Sequence, residues 1–126
     1  MKQIKSTLAS LLIASAMISG TAFAEGATDA KVRAAAEGTV SKVEEAVSMV
    51  EKGADKEEIL KVLSEVRQLQ KEFRFEATER SRQNAGNTLK AAREEITNGD
   101  TKAAEASLKA TLATYKDMLT VYNKSH

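Results

Sequence analysis

Apolar residues recur in four segments of this chain at intervals of three and four positions, and the sequence contains no proline. That interval matches the turn of an α-helix, so each segment would carry one apolar stripe along its length. The abundant Ala, Glu, Lys and Leu residues also favour helices. We therefore predict an all-α fold in which four helices bury their stripes against one another.

The four stripes fix the approximate helix positions. The first helix is expected from about Asp29 to Lys52, and the second is expected to start at Asp55. The predicted core residues, in chain order, are Val32, Ala36, Val40, Val43, Val47 and Val50, then Ile59, Leu63, Val66, Leu69 and Phe73, then Ala85, Leu89, Ala92 and Ile96, then Ala104, Leu108, Leu112, Tyr115, Leu119 and Tyr122.

Two turns between these helices are well marked. Gly53 ends the first helix, and Asp55 can cap the second in a capping box with Glu58. Gly99 ends the third helix, and Asp100 can cap the fourth. Because short turns join antiparallel neighbours, we predict a single antiparallel up-down-up-down four-helix bundle over residues 25–126.

The middle turn is less clearly marked. The stretch between Gly53 and Gly99 is too long for one ordinary helix and suits two. The stripe loses its large residues after Phe75, which places the break near 76–80. A break at Asn84–Asn87 is the alternative, and it would make the second helix much longer than the third.

Residues 1–24 are predicted to be a cleaved export signal. Lys2 and Lys5 precede the apolar run Leu8–Ile18, and Ala22-Phe23-Ala24 gives the small-x-small pattern of a cleavage site. The run is shorter than the roughly 20 residues that a membrane-spanning helix needs. We therefore expect a periplasmic or secreted protein without stable membrane insertion after cleavage.

Charge and cysteine usage exclude several kinds of function. Cleavage would remove two of 19 basic residues and none of 18 acidic ones, leaving 17 and 18, a formal net charge of −1. This balance argues against a nucleic-acid binder, which relies on excess Lys and Arg. With no Cys, the chain has no disulfides and no thiolate metal site.

The sequence gives little sign of catalysis. The only histidine is His126, the last residue, so no His is positioned as a general acid or base inside the predicted bundle. We also find no Gly-rich phosphate loop, zinc spacing or calcium loop. We expect a non-catalytic protein without a cofactor, with no catalytic, cofactor or metal residues to assign.

One local cluster is a candidate for partner binding. Two phenylalanines and three arginines lie around the predicted middle turn: Phe73, Arg74, Phe75, Arg80 and Arg82. Arginine forks suit carboxylate and phosphate, so the cluster could dock an anionic ligand or a partner protein. Alternatively, a phenylalanine closes one end of the bundle while the arginines cover it and pair with Glu72, Glu76 and Glu79.

The segment Leu89–Lys124, a helix, a Gly-centred turn and an Ala-rich helix with a late Tyr, resembles the closing hairpin of the soluble periplasmic b-type cytochromes. The resemblance implies a four-helix bundle. In that family a Met early in the first helix and a His after the late Tyr hold the haem. Val40 and Lys116 stand at those positions here, which argues against haem binding.

The segment Val43–Leu69 and the ending Lys124-Ser125-His126 are similar to small His-rich periplasmic metal-binding proteins, which are also four-helix bundles. Those proteins bind metal through many His, and this chain has one. We predict a small exported binding or accessory module for an unidentified protein or anionic ligand. A haem or metal carrier related to these two families is the alternative.

Overall fold

The computed structural model describes the backbone of residues 24–126 and the side chains of residues 29–126. The predicted signal peptide therefore lies outside the described residues, apart from the backbone of Ala24. From Val32 to His126 the chain forms one compact unit. Its elements are α1 (Ala24–Glu51), α2 (Lys56–Glu72), a 3₁₀ turn (Glu76–Thr78), α3 (Glu79–Thr97) and α4 (Thr101–Ser125).

The all-helical fold predicted from the four stripes is confirmed for the described residues. Side chains connect helices that are distant in sequence. Lys42 on α1 pairs with Glu65 on α2, and Glu44 on α1 pairs with Lys116 on α4. The Thr111 hydroxyl on α4 donates a 2.7 Å hydrogen bond to that of Thr88 on α3.

All four helices contribute to one apolar core. The buried residues that the stripes predicted are Ala36, Val43, Val47, Val50, Ile59, Leu63, Val66, Phe73, Ala85, Leu89, Ala92, Ile96, Ala104, Leu108, Tyr115 and Tyr122. Burial raises the pKa of the Tyr115 phenol, and the nearby Arg82 opposes this weakly. The phenol therefore remains neutral inside the core.

The core differs from the stripe prediction on α1, where Ala35, Thr39 and Ala46 are also buried, and on α4. Leu112 and Leu119 are half-buried, whereas Thr111 and Met118 are almost fully buried. Thr111 is accommodated because its hydroxyl also lies 2.8 Å from the Ser107 carbonyl oxygen, so its single proton can be donated to either acceptor. The buried face of α4 is therefore rotated by part of a turn from the predicted one. On the other helices Val32, Val40 and Leu69 are half-buried.

Gly53 and Gly99 have φ angles of 72° and 81°, the left-handed conformation expected where helices end. The Asp100 side chain accepts a hydrogen bond from the Ala103 amide, which confirms its predicted cap. The capping box at Asp55 was wrong, because the Asp55 side chain makes no capping bond. The Asp55 carbonyl accepts from the Glu58 amide instead.

The middle turn begins slightly earlier than predicted. Helix α2 stops at Glu72, and the backbone leaves helical geometry at Phe73 and is extended at Phe75. The alternative break at Asn84–Asn87 was wrong, since those residues lie inside α3. Helix α1 also starts before Asp29, at Ala24.

Candidate functional site

The two phenylalanines of the middle turn pack against the last turns of α4. The Phe73 ring lies edge-on to Tyr122 with 6.3 Å between centroids, and the Phe75 ring does so at 5.4 Å. His126 stacks on Tyr122 at 4.1 Å. Phe73 is fully buried and Phe75 is half-buried. These rings therefore close one end of the core, and Phe73 offers no surface to a partner.

The arginines of the middle turn are largely engaged within the chain. Arg82 contacts both carboxylate oxygens of Glu79, at 2.8 and 3.2 Å. The Arg74 Nε lies 3.4 Å from Glu79 Oε2. The bond from Arg82 is the main reason that the pKa of Glu79 is lowered. Glu79 thus pairs with two of the three arginines expected to meet an anion and offsets one of their two positive charges, whereas Arg80 remains exposed.

Arg33 joins this end of the core from α1, a contact that the sequence did not indicate. Its guanidinium carbon lies 5.2 Å from the Tyr122 ring centroid, and its Nη1 donates a 2.9 Å bond to Asn123. A cation placed over an aromatic face is stabilised by the ring's negative face. These contacts attach α1 to the end of α4.

A second candidate site is the groove between α2 and α3, which we call the α2–α3 groove. It has two adjoining parts that share Lys90 and Arg93. One part, of about 260 Å³, is also lined by Arg67, Gln70, Gly86 and Leu89. The other part, of about 380 Å³, is also lined by Leu60, Glu94, Thr97 and Asn98.

The basic side chains of the α2–α3 groove form no ion pair with any other described residue. Within the part of the chain that the structure describes, no carboxylate lies within ion-pair distance of Arg67, Lys90 or Arg93. The buried Arg93 Nε and Gln70 Oε1 also lack a hydrogen-bond partner among the described residues. Such atoms are uncommon in folded proteins. The groove therefore has charge and hydrogen-bonding capacity that its own residues do not use.

Sequence reasoning missed this groove because its residues come from two helices. A weak signal exists on α3, where Gly86, Lys90, Arg93 and Thr97 follow one another at helical intervals. Arg67 is separated from that run by the middle turn. Only the pairing of α2 with α3 brings these residues together.

A groove between α1 and α2 has the opposite character. Its rim carries five acidic residues and two lysines: Glu45, Asp55, Glu57, Glu58 and Glu65, with Lys42 and Lys61. Lys42 lies 3.1 Å from Glu65, and this hydrogen bond is the main reason that the pKa of Lys42 is raised. Among residues 29–126, no three acidic or histidine side chains are close enough to hold a metal ion.

Val40 and Lys116, the residues that stand where the b-type cytochromes have their haem ligands, both contact other parts of the bundle. Val40 is half-buried against the core, and the exposed Lys116 pairs with Glu44 at 3.4 Å.

No described helix is long and apolar enough to cross a membrane. No family model matches this chain, and no curated protein or solved structure is detectably similar to it.

Proposed function

We propose that this protein is an exported, non-catalytic binding module in the periplasm or outside the cell. Its four helices form an up-down-up-down bundle with antiparallel neighbours. The ion pairs between α1 and α4 support this order, because Glu44 pairs with Lys116 while the later Glu51 pairs with the earlier Lys109. The same reversal holds between α3 and α4, where Thr88 and Glu95 meet Thr111 and Ser107.

The α2–α3 groove is the site where this module binds an anionic group of its ligand or partner. The observation that carries this assignment is the convergence of Arg67, Lys90 and Arg93 without an acidic partner among the described residues. Arginine presents paired donors that match carboxylate and phosphate oxygens. The middle turn is the weaker candidate, since Glu79 already occupies Arg74 and Arg82.

Two triple variants with equal charge loss discriminate between these surfaces. The groove variant carries Arg67→Gln, Lys90→Gln and Arg93→Gln, and the matched control carries Arg74→Gln, Arg80→Gln and Arg82→Gln. Inorganic phosphate is titrated into isotope-labelled protein, and nuclear magnetic resonance follows the backbone amides and the Arg93 Nε–H. In the parent, we expect saturable shifts centred on Gly86, Lys90 and Arg93.

The groove variant should bind phosphate at least tenfold more weakly, because a hydrogen bond to a charged group contributes about 1.5–3 kcal/mol. The control variant should retain the parent affinity. Added salt should weaken binding in the parent, since ions screen the attraction. Shifts centred on Arg80, or an affinity that only the control variant loses, would assign the site to the middle turn and contradict the proposal.

A further inference from the structure

The two parts of the α2–α3 groove differ in chemistry. The smaller part collects Arg67 from α2, the shared Lys90 and Arg93 from α3, and the amide of Gln70. The larger part shares Lys90 and Arg93 with the smaller one, and it adds Leu60 as its apolar surface and Glu94 as its acidic residue. An anionic group therefore gains most in the smaller part, which has three bases and no acid, because Glu94 offsets part of the positive charge in the larger part.

Glu94 limits the charge that a ligand can carry. Its carboxylate lines the larger part of the groove, so a second anionic group placed there would be repelled by a like charge. Leu60 is half-buried and packs against the core, so it presents apolar surface to whatever lies in this part. Burying apolar surface against Leu60 is favourable. The larger part thus suits an uncharged, apolar portion of a ligand.

The spacing of these residues sets the size of that portion. Leu60 and Arg67 are seven residues apart on α2, which places them on nearly the same face and about 10 Å apart along the axis. The space over Gly86 at the charged end of the groove is open, since a Cβ atom at this position would meet nothing within 4 Å. An extended chain of medium length can therefore reach from the basic side chains to Leu60.

From these features we propose that the α2–α3 groove binds an amphipathic ligand with one oxyanion head group and an unbranched apolar tail. The head group lies among Arg67, Lys90 and Arg93, and the tail lies over Leu60. This inference rests on the proposed function, because it assumes that the groove binds anions. It adds the requirement that the rest of the ligand is uncharged and apolar.

The test is a series of straight-chain carboxylates, namely butanoate, hexanoate and octanoate, titrated into the parent protein by calorimetry. We expect affinity to rise about two- to fourfold for each added methylene group, the range that follows from partial to full burial of that group. Leu60→Asn should reduce this increase per methylene. Leu112→Asn, which changes an equally half-buried leucine on α4, is the matched control and should leave the increase unchanged.

A second comparison does not depend on Leu60 and keeps the inference testable if Leu60→Asn fails to fold. Octanedioate has the length of octanoate with a second carboxylate at the far end. The parent should bind octanedioate at least tenfold more weakly than octanoate. Glu94→Gln should narrow that difference several-fold, because the repelling carboxylate is gone. Glu57→Gln, in the groove between α1 and α2, is the control and should leave the difference between octanedioate and octanoate unchanged.

The results separate this inference from the proposed function. If Arg93→Gln weakens the binding of all three carboxylates while affinity does not depend on chain length, the groove binds anions and the proposal of an amphipathic ligand is wrong. The proposal of an amphipathic ligand is also wrong if octanedioate binds as tightly as octanoate. If no carboxylate binds while phosphate still does, the groove binds anions but the proposal of an amphipathic ligand is wrong. If neither binds, or if the groove triple variant binds both as well as the parent, both proposals fail.

Discussion

Two leucines at the centres of their stripes have very different surroundings. Leu63 on α2 is fully buried, whereas Leu112 on α4 is only half-buried. The residue before Leu112, Thr111, fills the core position and satisfies its hydroxyl with Thr88 and Ser107. A buried threonine with its hydrogen bonds made carries little of the usual cost of burying a polar group.

We expect Leu63→Ala to lower the free energy of unfolding by about 2–5 kcal/mol, the range for a large side chain that leaves a cavity. Leu112→Ala should cost about 1–2 kcal/mol, because a half-exposed side chain loses less buried area and leaves no closed cavity. Urea denaturation of both variants and the parent measures the two costs. Equal costs would show that Leu112 is as buried as Leu63 and that the observed α4 face is wrong.

At the scale of single residues, most of the core was predictable from the sequence. Large apolar residues such as Leu63, Leu89 and Leu108 sit where the helical period placed them. Thr111 was not predictable, because its burial depends on Thr88 lying opposite it on another helix. A stripe of apolar residues cannot reveal a polar residue that is satisfied by a distant partner.

Among the elements, the two Gly-marked turns look alike in sequence but differ in their caps. Gly53 and Gly99 both adopt positive φ. The Asp100 side chain accepts from the Ala103 amide at 3.2 Å, whereas the Asp55 side chain makes no such bond. Both aspartates lie near the positive end of a helix dipole. They differ in the capping hydrogen bond, which only the Asp100 side chain makes.

This difference makes Asp100→Ala and Asp55→Ala a matched pair. Asp100→Ala should lower the free energy of unfolding by about 1 kcal/mol more than Asp55→Ala does, since loss of a capping side chain costs about 0.5–2 kcal/mol. Thermal unfolding followed by circular dichroism provides the measurement. A greater loss for Asp55→Ala would mean that the Asp55 side chain caps α2 in solution.

The position of the middle turn follows from the packing of two rings. Residues two apart on a helix point to nearly opposite sides, yet Phe73 and Phe75 both contact Tyr122. The helical backbone must therefore be interrupted at these two residues, which separates α2 from α3. The break predicted from the sequence lies a few residues later, because it was placed where the apolar stripe loses its large residues. The sequence does not show that the end of α4 packs against this turn.

For the whole molecule, the distribution of charge matters more than the near-zero total. The α1–α2 groove is rimmed mainly by acids and the α2–α3 groove mainly by bases, although 19 basic and 18 acidic residues nearly cancel in the chain. The sequence directed attention to the arginines that are adjacent along the chain. Two of those arginines pair with Glu79, whereas Arg67, Lys90 and Arg93 meet only after α2 and α3 pack.

Export is the remaining property of the whole molecule, and it can be tested at the bond after Ala24. The predicted signal requires small residues at Ala22 and Ala24 and tolerates a large one between them. Ala22→Leu should therefore block processing, whereas Phe23→Leu, the matched control, should leave it intact. Intact mass of the protein from cell fractions is the measurement. The parent and the control should begin at Glu25 in the periplasm or the medium, and Ala22→Leu should retain Met1 and stay with the membrane fraction. A parent protein that keeps Met1 and remains in the cytoplasm would contradict both the cleavage site and the proposed location.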